Sequence, residues 1–299
     1  MVRPASFGFN PETSNTILFQ REITENSRKE IERRARIEFD MLANRLRNAG
    51  VEIMIFEDKE DLGTPDAVFP NNWVSFHDDG TVVLYPMFAP SRRPERRRDI
   101  IENLQSSGFR VSRIVDLTRH ENDGRFLEAT GSVVFDHVQR CAYANVSPRT
   151  NPEVFHELCG ILRYKPITFR AVNESGQEIK HTDVMMSIGD RFAVVCSDSM
   201  PDPAERKLVL EGLKSDGREI ITIDQKQLVQ FAGNVLQLQT KPAGSVLAIS
   251  TAACLALRPD QRQAIEKYTR IVESPLPLFE SIGGGSARCM MADVHLPRS

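Results

Sequence analysis

A glycine-rich segment near the end of the sequence leads directly into a cysteine. Residues 283–290 read Gly-Gly-Gly-Ser-Ala-Arg-Cys-Met, so Cys289 follows a backbone that can turn sharply and approach a ligand closely. A phosphate-binding loop is a weak interpretation of the glycines, because no Gly-Lys-Ser/Thr sequence follows them. The other four cysteines lie in apolar strand-like runs or on a predicted helix, where a buried structural role is usual. We therefore predict that Cys289 is a nucleophile.

A cysteine nucleophile needs a base or a cation beside it, because the thiolate rather than the thiol attacks. His181 and Asp183 lie two residues apart, and such residues share one face of an extended strand, so both would face one cavity. His295 lies nearer to Cys289 in sequence and is the alternative base. Glu128 is predicted to orient the imidazole. Taken singly, the His-x-Asp pair fits a surface turn and Glu128 an ordinary loop residue, so the hypothesis rests on their combination.

The elements that must position these residues recur with a period of about 50 residues, which is typical of repeat architectures. Small or polar residues begin five predicted hairpins, at Asn72, Ser132, Asp183, Asn234 and Ser286. Units of two strands, a helix and a strand predict an α/β fold, a five-bladed ββαβ propeller, in a single domain over residues 1–299. Polar residues from remote units would then meet in one central channel. A doubly wound α/β sheet is the alternative, but its Gly-x-Gly-x-x-Gly fingerprint is missing.

Hydrophobic periodicity predicts a helix over residues 24–49, ended by Gly50, and a strand over 51–56. The predicted hairpins span 73–76 with 81–85, 131–135 with 141–145, 184–188 with 191–196, 234–238 with 246–250, and a last arm through 287–294. The helices of the units are predicted over 92–107, 152–162, 203–213 and 259–268. The third strands are predicted over 110–117, 167–172, 219–223 and 271–273.

Composition excludes several functional classes. The 299 residues carry 38 Lys and Arg against 41 Asp and Glu, and a nucleic-acid-binding protein normally needs a basic excess. Hydrophobic residues make up 40%, yet no apolar run has the length of a membrane span or a leader. Five cysteines, far apart and odd in number, argue against a disulfide scaffold and for a reducing compartment. We expect a cytoplasmic protein without nucleic-acid or membrane partners, and homo-oligomerisation is left open.

Four motifs follow one another over nearly the whole chain: Pro-Asp-Ala-Val-Phe at 65–69, Leu-Glu-x-x-Gly at 127–131, His-x-Asp at 181–183 and the glycine-rich segment 283–290. This ordered set resembles the guanidino-group-modifying enzymes of arginine metabolism: arginine deiminases, dimethylarginine dimethylaminohydrolases and amidinotransferases. Phe-Pro-Asn-Asn-Trp at 69–73 and Tyr-Pro-Met at 85–87 are most similar to the bacterial amidinotransferase-like citrulline-utilisation hydrolases. The resemblance implies the pentein fold, which is a five-bladed propeller.

The resemblance also implies a role for each reacting group. Cys289 would attack the central guanidino or ureido carbon, and His181 would protonate the departing nitrogen and then activate water. Glu128 would hold the imidazole, and Asp183 would accept hydrogen bonds from the terminal nitrogens of the substrate. This covalent and acid–base chemistry needs no metal and no cofactor, and no His-x-x-x-His or Cys-x-x-Cys spacing suggests a zinc site.

The same resemblance implies contacts to the other end of an amino-acid substrate. Asp66 matches a position that binds the α-amino group. Arg93 and Arg149 match positions whose arginines hold the α-carboxylate, and Arg92 is a further candidate. The planar guanidinium fork suits a carboxylate.

Asn71 and Asn72 depart from the pattern of deiminases and dimethylarginine hydrolases, where these positions are acidic. A guanidinium has only donors, whereas a ureido group has a carbonyl acceptor as well, and an amide can serve both. The substitution predicts hydrolysis of citrulline to ornithine, carbon dioxide and ammonia. The alternatives are an amidinotransferase, a deiminase-type hydrolase of arginine or dimethylarginine, and a non-catalytic pentein binding module, since a fold alone implies no activity.

Overall fold

The computed structural model describes residues 1–13, 25–214 and 217–298. The strands are β1 (Val2–Arg3), β2 (Phe56–Glu57), β3 (Val74–Phe76), β4 (Thr81–Leu84), β5 (Arg113–Asp116), β6 (Val133–Asp136), β7 (Cys141–Asn145), β8 (Lys165–Phe169), β9 (Met186–Ile188), β10 (Phe192–Val195), β11 (Glu219–Thr222), β12 (Leu236–Gln239), β13 (Ser245–Ser250) and β14 (Arg270–Ser274). The α-helices are α1 (Glu25–Asn48), α2 (Arg98–Ser106), α3 (Ala129–Ser132), α4 (Pro152–Leu162), α5 (Pro203–Lys214), α6 (Gln225–Val229), α7 (Thr251–Ala256) and α8 (Pro259–Glu266).

Four three-stranded sheets repeat one topology along the chain. The orders are β3-β4-β5, β6-β7-β8, β9-β10-β11 and β12-β13-β14. In each sheet the central strand pairs antiparallel with the strand before it and parallel with the strand after it. A helical connection precedes every third strand, because parallel neighbours cannot be joined by a tight turn. The architecture is therefore α/β with small sheets.

The strands and helices predicted for the first four units lie where the structure has them, with ends that differ by a few residues. The helix predicted over 92–107 is divided: a 3-10 helix over Pro90–Glu95 contains Pro94, and α2 begins at Arg98. Proline cannot donate a helical hydrogen bond, which explains the break. The helix predicted over 24–49 is α1, and its first predicted residue lies outside the described residues.

The predicted fifth unit is wrong in two places. Of the strand expected over 51–56, only Phe56 lies in a strand, the two-residue β2, because its parallel partner β1 also has just two residues. The arm expected over 287–294 contains a 3-10 helix at Arg288–Met290, and only Val294 makes a β-bridge, to Phe76. A three-stranded fifth sheet and a closed propeller are therefore not seen among the described residues.

Helix α1 supports the segment that carries Cys289. Its apolar residues recur every three or four positions, and Phe39, Leu42 and Leu46 are completely buried. They belong to one core cluster with Val246 of β13 and with Cys289 itself. The cysteine therefore lies on a short turn against a rigid hydrophobic core. Among the described residues, no helix combines the length and the apolar character that crossing a membrane requires.

A buried ion pair joins the second and third sheets. Arg218, just before β11, donates from Nη2 to Asp136 Oδ1 at 3.1 Å, and its Nε donates to the carbonyl of Gly189 at 3.0 Å. Both charged side chains are 1% exposed. Breaking this pair should therefore be costly, because both of its charges are buried.

Replacing Asp136 with asparagine should lower the free energy of unfolding by about 3 kcal/mol, because the buried ion pair with Arg218 would lose its carboxylate. Urea denaturation followed by circular dichroism measures the change. The control is Asp78→Asn, whose pair with Arg140 is 65% and 40% exposed and should contribute less than about 1 kcal/mol. Equal effects of the two substitutions would contradict the prediction.

Candidate active site

The predicted reacting groups come from corresponding positions of successive units. Each lies just before the first strand of a sheet or on the last short turn of the chain. Asn71 is on the 3-10 turn before β3, Glu128 precedes α3 and β6, and Asp183 is on the 3-10 turn before β9. Asn234 precedes β12, and Cys289 lies on the turn Arg288–Met290. Hydrogen bonds between these segments bring them together, although up to 112 positions separate the bonded residues.

Cys289 is 5% exposed and its sulfur lies between two polar side chains. Asn234 Nδ2 donates to Sγ at 3.2 Å, and Sγ lies 3.5 Å from Asp183 Oδ2. Burial raises the pKa of the Cys289 thiol far above its usual value, and the charge of Asp183 raises it further. The thiol is therefore neutral at neutral pH in the free protein. A Cβ at Gly285 would lie 2.8 Å from the Phe69 ring and 3.2 Å from Cys289 Cβ, so this close approach requires glycine.

Asp183 is buried beside the sulfur and keeps one oxygen available. Burial raises the pKa of Asp183, while the charges of His181 and Arg288 and the hydrogen bonds from Cys289 and Asn71 oppose that rise. Asn71 Nδ2 donates to Oδ2 at 3.0 Å. Oδ1 has no hydrogen-bond partner among the described residues. A buried acceptor without a partner is costly, so this oxygen is suited to receive a donor from a ligand.

Glu128 and His181 form a short hydrogen bond, with His181 Nε2 2.6 Å from Glu128 Oε2. Burial would raise the pKa of Glu128, but the charge of Arg149, the His181 hydrogen bond and the charge of Arg92 lower it to about 2. Glu128 is therefore anionic at neutral pH. It fixes the imidazole through Nε2 and leaves Nδ1 for proton transfer. A Cβ at Gly131 would lie 3.4 Å from that Nδ1.

The two asparagines that departed from the family pattern have different surroundings. Asn71 is bound to Asp183, and its Oδ1 is buried with no partner among the described residues. Asn72 instead accepts from Arg92 Nη1 at 2.8 Å through its Oδ1. Asn71 therefore contacts Asp183, the carboxylate beside the Cys289 sulfur, whereas Asn72 contacts Arg92. The sequence could not show this difference, because the two residues are identical and adjacent.

Arg92 does not have a free guanidinium for a substrate carboxylate, so its proposed binding role is wrong. It is 2% exposed and forms two parallel hydrogen bonds to Glu95, at 2.9 and 2.8 Å. Its remaining donors reach Asn72 and the carbonyls of Asp66 and Phe69. Arg92 therefore holds the loop that carries the asparagines.

The residues predicted to bind the two ends of an amino acid lie around the N-terminal segment. Asp66 Oδ2 accepts from Asn10 Nδ2 at 2.8 Å and from Thr13 Oγ1 at 3.0 Å, while its Oδ1 is buried with no partner within the described ranges. Arg149 Nη2 donates to the carbonyl of Thr13 at 2.9 Å. Asp66 and Arg149 thus share one neighbouring segment.

Arg93 lies in a different environment from Arg149. Its Nε is 3.2 Å from Glu121 Oε2, and its side chain is 32% exposed. Glu121 also pairs with Arg96. Arg93 is therefore the more accessible of the two candidate carboxylate ligands.

Sequence reasoning missed the contacts of Asn234 and Arg288. Asn234 appeared only as the start of a hairpin, although that shared position in the repeat was the available signal. Arg288 Nη1 lies 3.1 Å from Asp293 Oδ1 and donates to the Met291 carbonyl at 2.9 Å. The alternative base His295 hydrogen-bonds Asp293 Oδ2 at 2.7 Å instead.

A model of the family described as "N,N dimethylarginine dimethylhydrolase, eukaryotic" matches residues 3–296. The chain belongs to this family. Membership confirms the predicted relationship to guanidino-group-modifying enzymes in its broad form, and the protein is a C–N hydrolase of the pentein class. The citrulline-utilisation subgroup stays a prediction. A search among curated proteins finds no match to the chain.

Several solved structures share the fold of this chain. The N-terminal domain of ArgZ, covalently bound to a reaction intermediate, is 18% identical with a TM-score of 0.74, covering 99% of this chain and 98% of that chain. Unliganded AgrE is 19% identical with a TM-score of 0.73, covering 98% of this chain but 39% of its own. A dimethylarginine dimethylaminohydrolase adduct is 15% identical with a TM-score of 0.61, covering 87% and 90%. The chain thus spans about two fifths of the AgrE chain, and at these identities the likeness establishes the fold.

Replacing Asp183 with asparagine should lower the pKa of the Cys289 thiol, because the nearby negative charge that opposes thiolate formation is removed. Alkylation of Cys289 by iodoacetamide at neutral pH should become at least about tenfold faster, the effect of one pKa unit. Peptide mass spectrometry measures the rate. Cys159, whose pKa burial raises to about 12, is the internal control and should label equally slowly in both proteins. A slower or unchanged Cys289 rate would refute this electrostatic coupling.

Proposed function

We propose that this protein hydrolyses the ureido group of citrulline, with one water consumed and ornithine, carbon dioxide and ammonia formed. The contact between Asn71 and Asp183 carries the proposal. Asn71 places an amide against Asp183, the carboxylate beside Cys289, at a position where the resemblance implies a second carboxylate in a site for a guanidinium. A neutral ureido group cannot compensate two buried anions, so the amide suits it better.

Two acceptor oxygens of the Asn71–Asp183 pair suit the N–H donors of a ureido group. Asp183 Oδ1 and Asn71 Oδ1 are buried acceptors without partners among the described residues, and the ureido nitrogens supply N–H donors. The Asn71 amide can also turn its Nδ2 toward the ureido oxygen, since an asparagine side chain both donates and accepts. A neutral substrate fits this mixture of groups.

We propose that covalent catalysis proceeds through Cys289. His181 takes the thiol proton as Sγ bonds to the ureido carbon, and gives that proton to the departing nitrogen as its carbon–nitrogen bond breaks. A thiocarbamate then remains on Cys289. His181 next takes a proton from water, which attacks the thiocarbamate carbon and restores the thiol. The released carbamate loses carbon dioxide and becomes the second amine, so ammonia and ornithine are both formed.

The hydrogen bond between His181 and Glu128 supports this proton transfer. Glu128 remains ionised because its pKa is about 2, so it stabilises the imidazolium that forms when His181 accepts a proton. It also prevents the ring from turning. Glu128 therefore acts as a positioning residue for His181.

The amino-acid end of citrulline is proposed to bind near Thr13. Asp66 would bind the α-ammonium through Oδ1, the oxygen that has no partner among the described residues. Arg149 would bind the α-carboxylate, and Arg93 is a second candidate because its side chain is partly exposed. The site would then select a free amino acid, because the α-ammonium and the α-carboxylate of the substrate would each meet a side chain of opposite charge.

Hydrolysis of dimethylarginine or arginine is the second candidate function, and the family match favours it. Asp183 would then neutralise the guanidinium. Transfer of the carbon group to an acceptor amine uses the same first step and would require that amine for turnover. Membership of a hydrolase family argues against a non-catalytic binding role.

Replacing Asn71 with aspartate should reverse the substrate preference. It would place a second carboxylate where Asn71 Nδ2 now lies 3.0 Å from Asp183 Oδ2. A guanidinium would relieve their repulsion and a ureido group would not, so the citrulline-to-arginine ratio of kcat/KM should fall at least about tenfold. Steady-state assays of both substrates give the ratio. Asn72→Asp is the matched control, since its new charge would pair with Arg92 and should leave the ratio within about threefold. An unchanged ratio in Asn71→Asp would overturn the argument for citrulline.

We further propose that residues 1–299 form one domain and that the units surround one axis as five blades. The β1–β2 pair and the bridge between Val294 and Phe76 support this arrangement, because they attach both ends of the chain to the first sheet region. A fifth blade made from both ends would close the ring without a long fifth sheet.

A further inference from the structure

A second polar cluster lies away from the sulfur of Cys289. A cavity of about 560 Å³ is lined by the first strands of the four sheets and by the C-terminal segment. Arg288 lines this cavity and directly precedes Cys289 in the chain, and its guanidinium pairs with Asp293, which lines the cavity too. The cavity is therefore connected to the active site through Arg288 and has polar residues of its own.

Three potential metal ligands meet in that wall. His137, Asp293 and His295 each offer one donor atom, and these atoms lie within 4.8 Å of one another. Asp293 and His295 flank Val294, which is held in a β-bridge, so their side chains share one side of an extended segment. His137 follows β6 directly, and its ring centroid is 4.1 Å from that of His295.

The surrounding hydrogen bonds orient the cluster as those around metal ligands usually do. His137 Nδ1 lies 2.8 Å from the Tyr164 hydroxyl, which leaves Nε2 directed elsewhere. Asp293 Oδ1 is held by Arg288, while Oδ2 is only 2.7 Å from His295 Nε2.

We propose that His137 Nε2, His295 Nε2 and Asp293 Oδ2 bind one divalent transition-metal ion of the Zn²⁺ type. The ion would replace the proton now shared by His295 and Asp293, and water in the cavity would complete a four-coordinate site. Two imidazoles and a carboxylate are ligands that Zn²⁺ accepts. The ion would join the hairpin after β6 to the C-terminal segment that carries Cys289, so it would stabilise the tail.

The test uses the full chain with Cys289→Ser, because Cys289, Asp183 and His181 could otherwise hold the ion. After chelator treatment, Co²⁺ should bind in a single equivalent, with visible absorption of a nitrogen–oxygen site and without a thiolate charge-transfer band. Free Zn²⁺ at a hundredfold excess over its Kd should raise Tm by about 5 °C.

The single variants His137→Gln and His295→Gln should each weaken Co²⁺ binding at least about tenfold, the scale of losing a metal contact. His156→Gln, on the exposed face of α4, is the matched control and should bind as the parent does. Circular dichroism checks that the variants fold, and Asp293→Asn replaces any that does not. No binding by the parent, a thiolate band, or unchanged binding in the folded ligand variants would each overturn the proposal.

Discussion

Replacing Cys289 with serine should lower kcat/KM for citrulline by at least about 10⁴-fold and leave the fold intact. Serine is nearly isosteric and its hydroxyl can keep the contacts with Asn234 and Asp183, so the buried turn should persist. The hydroxyl is a far weaker nucleophile than sulfur, and His181 is fitted to a thiol. Ornithine release under saturating citrulline, with circular dichroism as the folding check, measures the effect.

The control for this substitution is Cys141→Ser, on the partly exposed start of β7. Its activity should stay within about twofold of the parent, since surface changes away from the site rarely alter function. If Cys289→Ser kept more than about a tenth of the activity, covalent catalysis by this sulfur would be wrong.

Replacing His181 with asparagine should lower kcat by about 10³-fold, within the usual contribution of general acid–base catalysis. The substitution removes the proton carrier for both the formation and the hydrolysis of the thiocarbamate. Single-turnover assays should show slow ornithine release at every citrulline concentration, because binding through Asp66 and Arg149 is unaffected.

Glu128→Gln gives the comparison for His181→Asn. The amide keeps the shape of Glu128 but not the anion that stabilises imidazolium, so kcat should fall by about 10²-fold with a smaller change in KM. His156→Asn, at an exposed position on α4, should have no effect. Activity of His181→Asn near the parent level would assign the proton transfers to another group.

Much of the site could be predicted because the sequence repeats. Glu128, Asp183 and Cys289 occupy corresponding positions of successive units, and any fold that aligns those units brings them together. The first four units were predictable for the same reason, since alternating apolar runs and helical periods specify their strands and helices.

The rest depended on contacts that local sequence does not encode. Asn71 and Asn72 are adjacent and identical, and only the position of Arg92 separates their environments. From the sequence alone, Arg92 is a candidate for binding the substrate carboxylate. The structure shows that its guanidinium is paired with Glu95 instead. The shortness of the fifth unit escaped prediction because four of the residues 51–55 are apolar, yet this segment has no full partner strand.

The cluster of His137, Asp293 and His295 could not be predicted from local sequence either. No short-range spacing links His137 to Asp293 and His295, so the sequence predicted no metal. Their proximity arises from the bridge between Val294 and Phe76, a contact between distant segments.

The most direct test of the proposed function follows the carbon of the ureido group. The purified protein is incubated separately with citrulline labelled with carbon-13 at that position, with arginine and with dimethylarginine, and products are followed by NMR and mass spectrometry. From citrulline we expect labelled bicarbonate with equal amounts of ornithine and ammonia. None of these products should form with Cys289→Ser. Turnover of the other two substrates should be at least about tenfold slower. Accumulation of citrulline from arginine or dimethylarginine, with labelled citrulline left unconsumed, would contradict it.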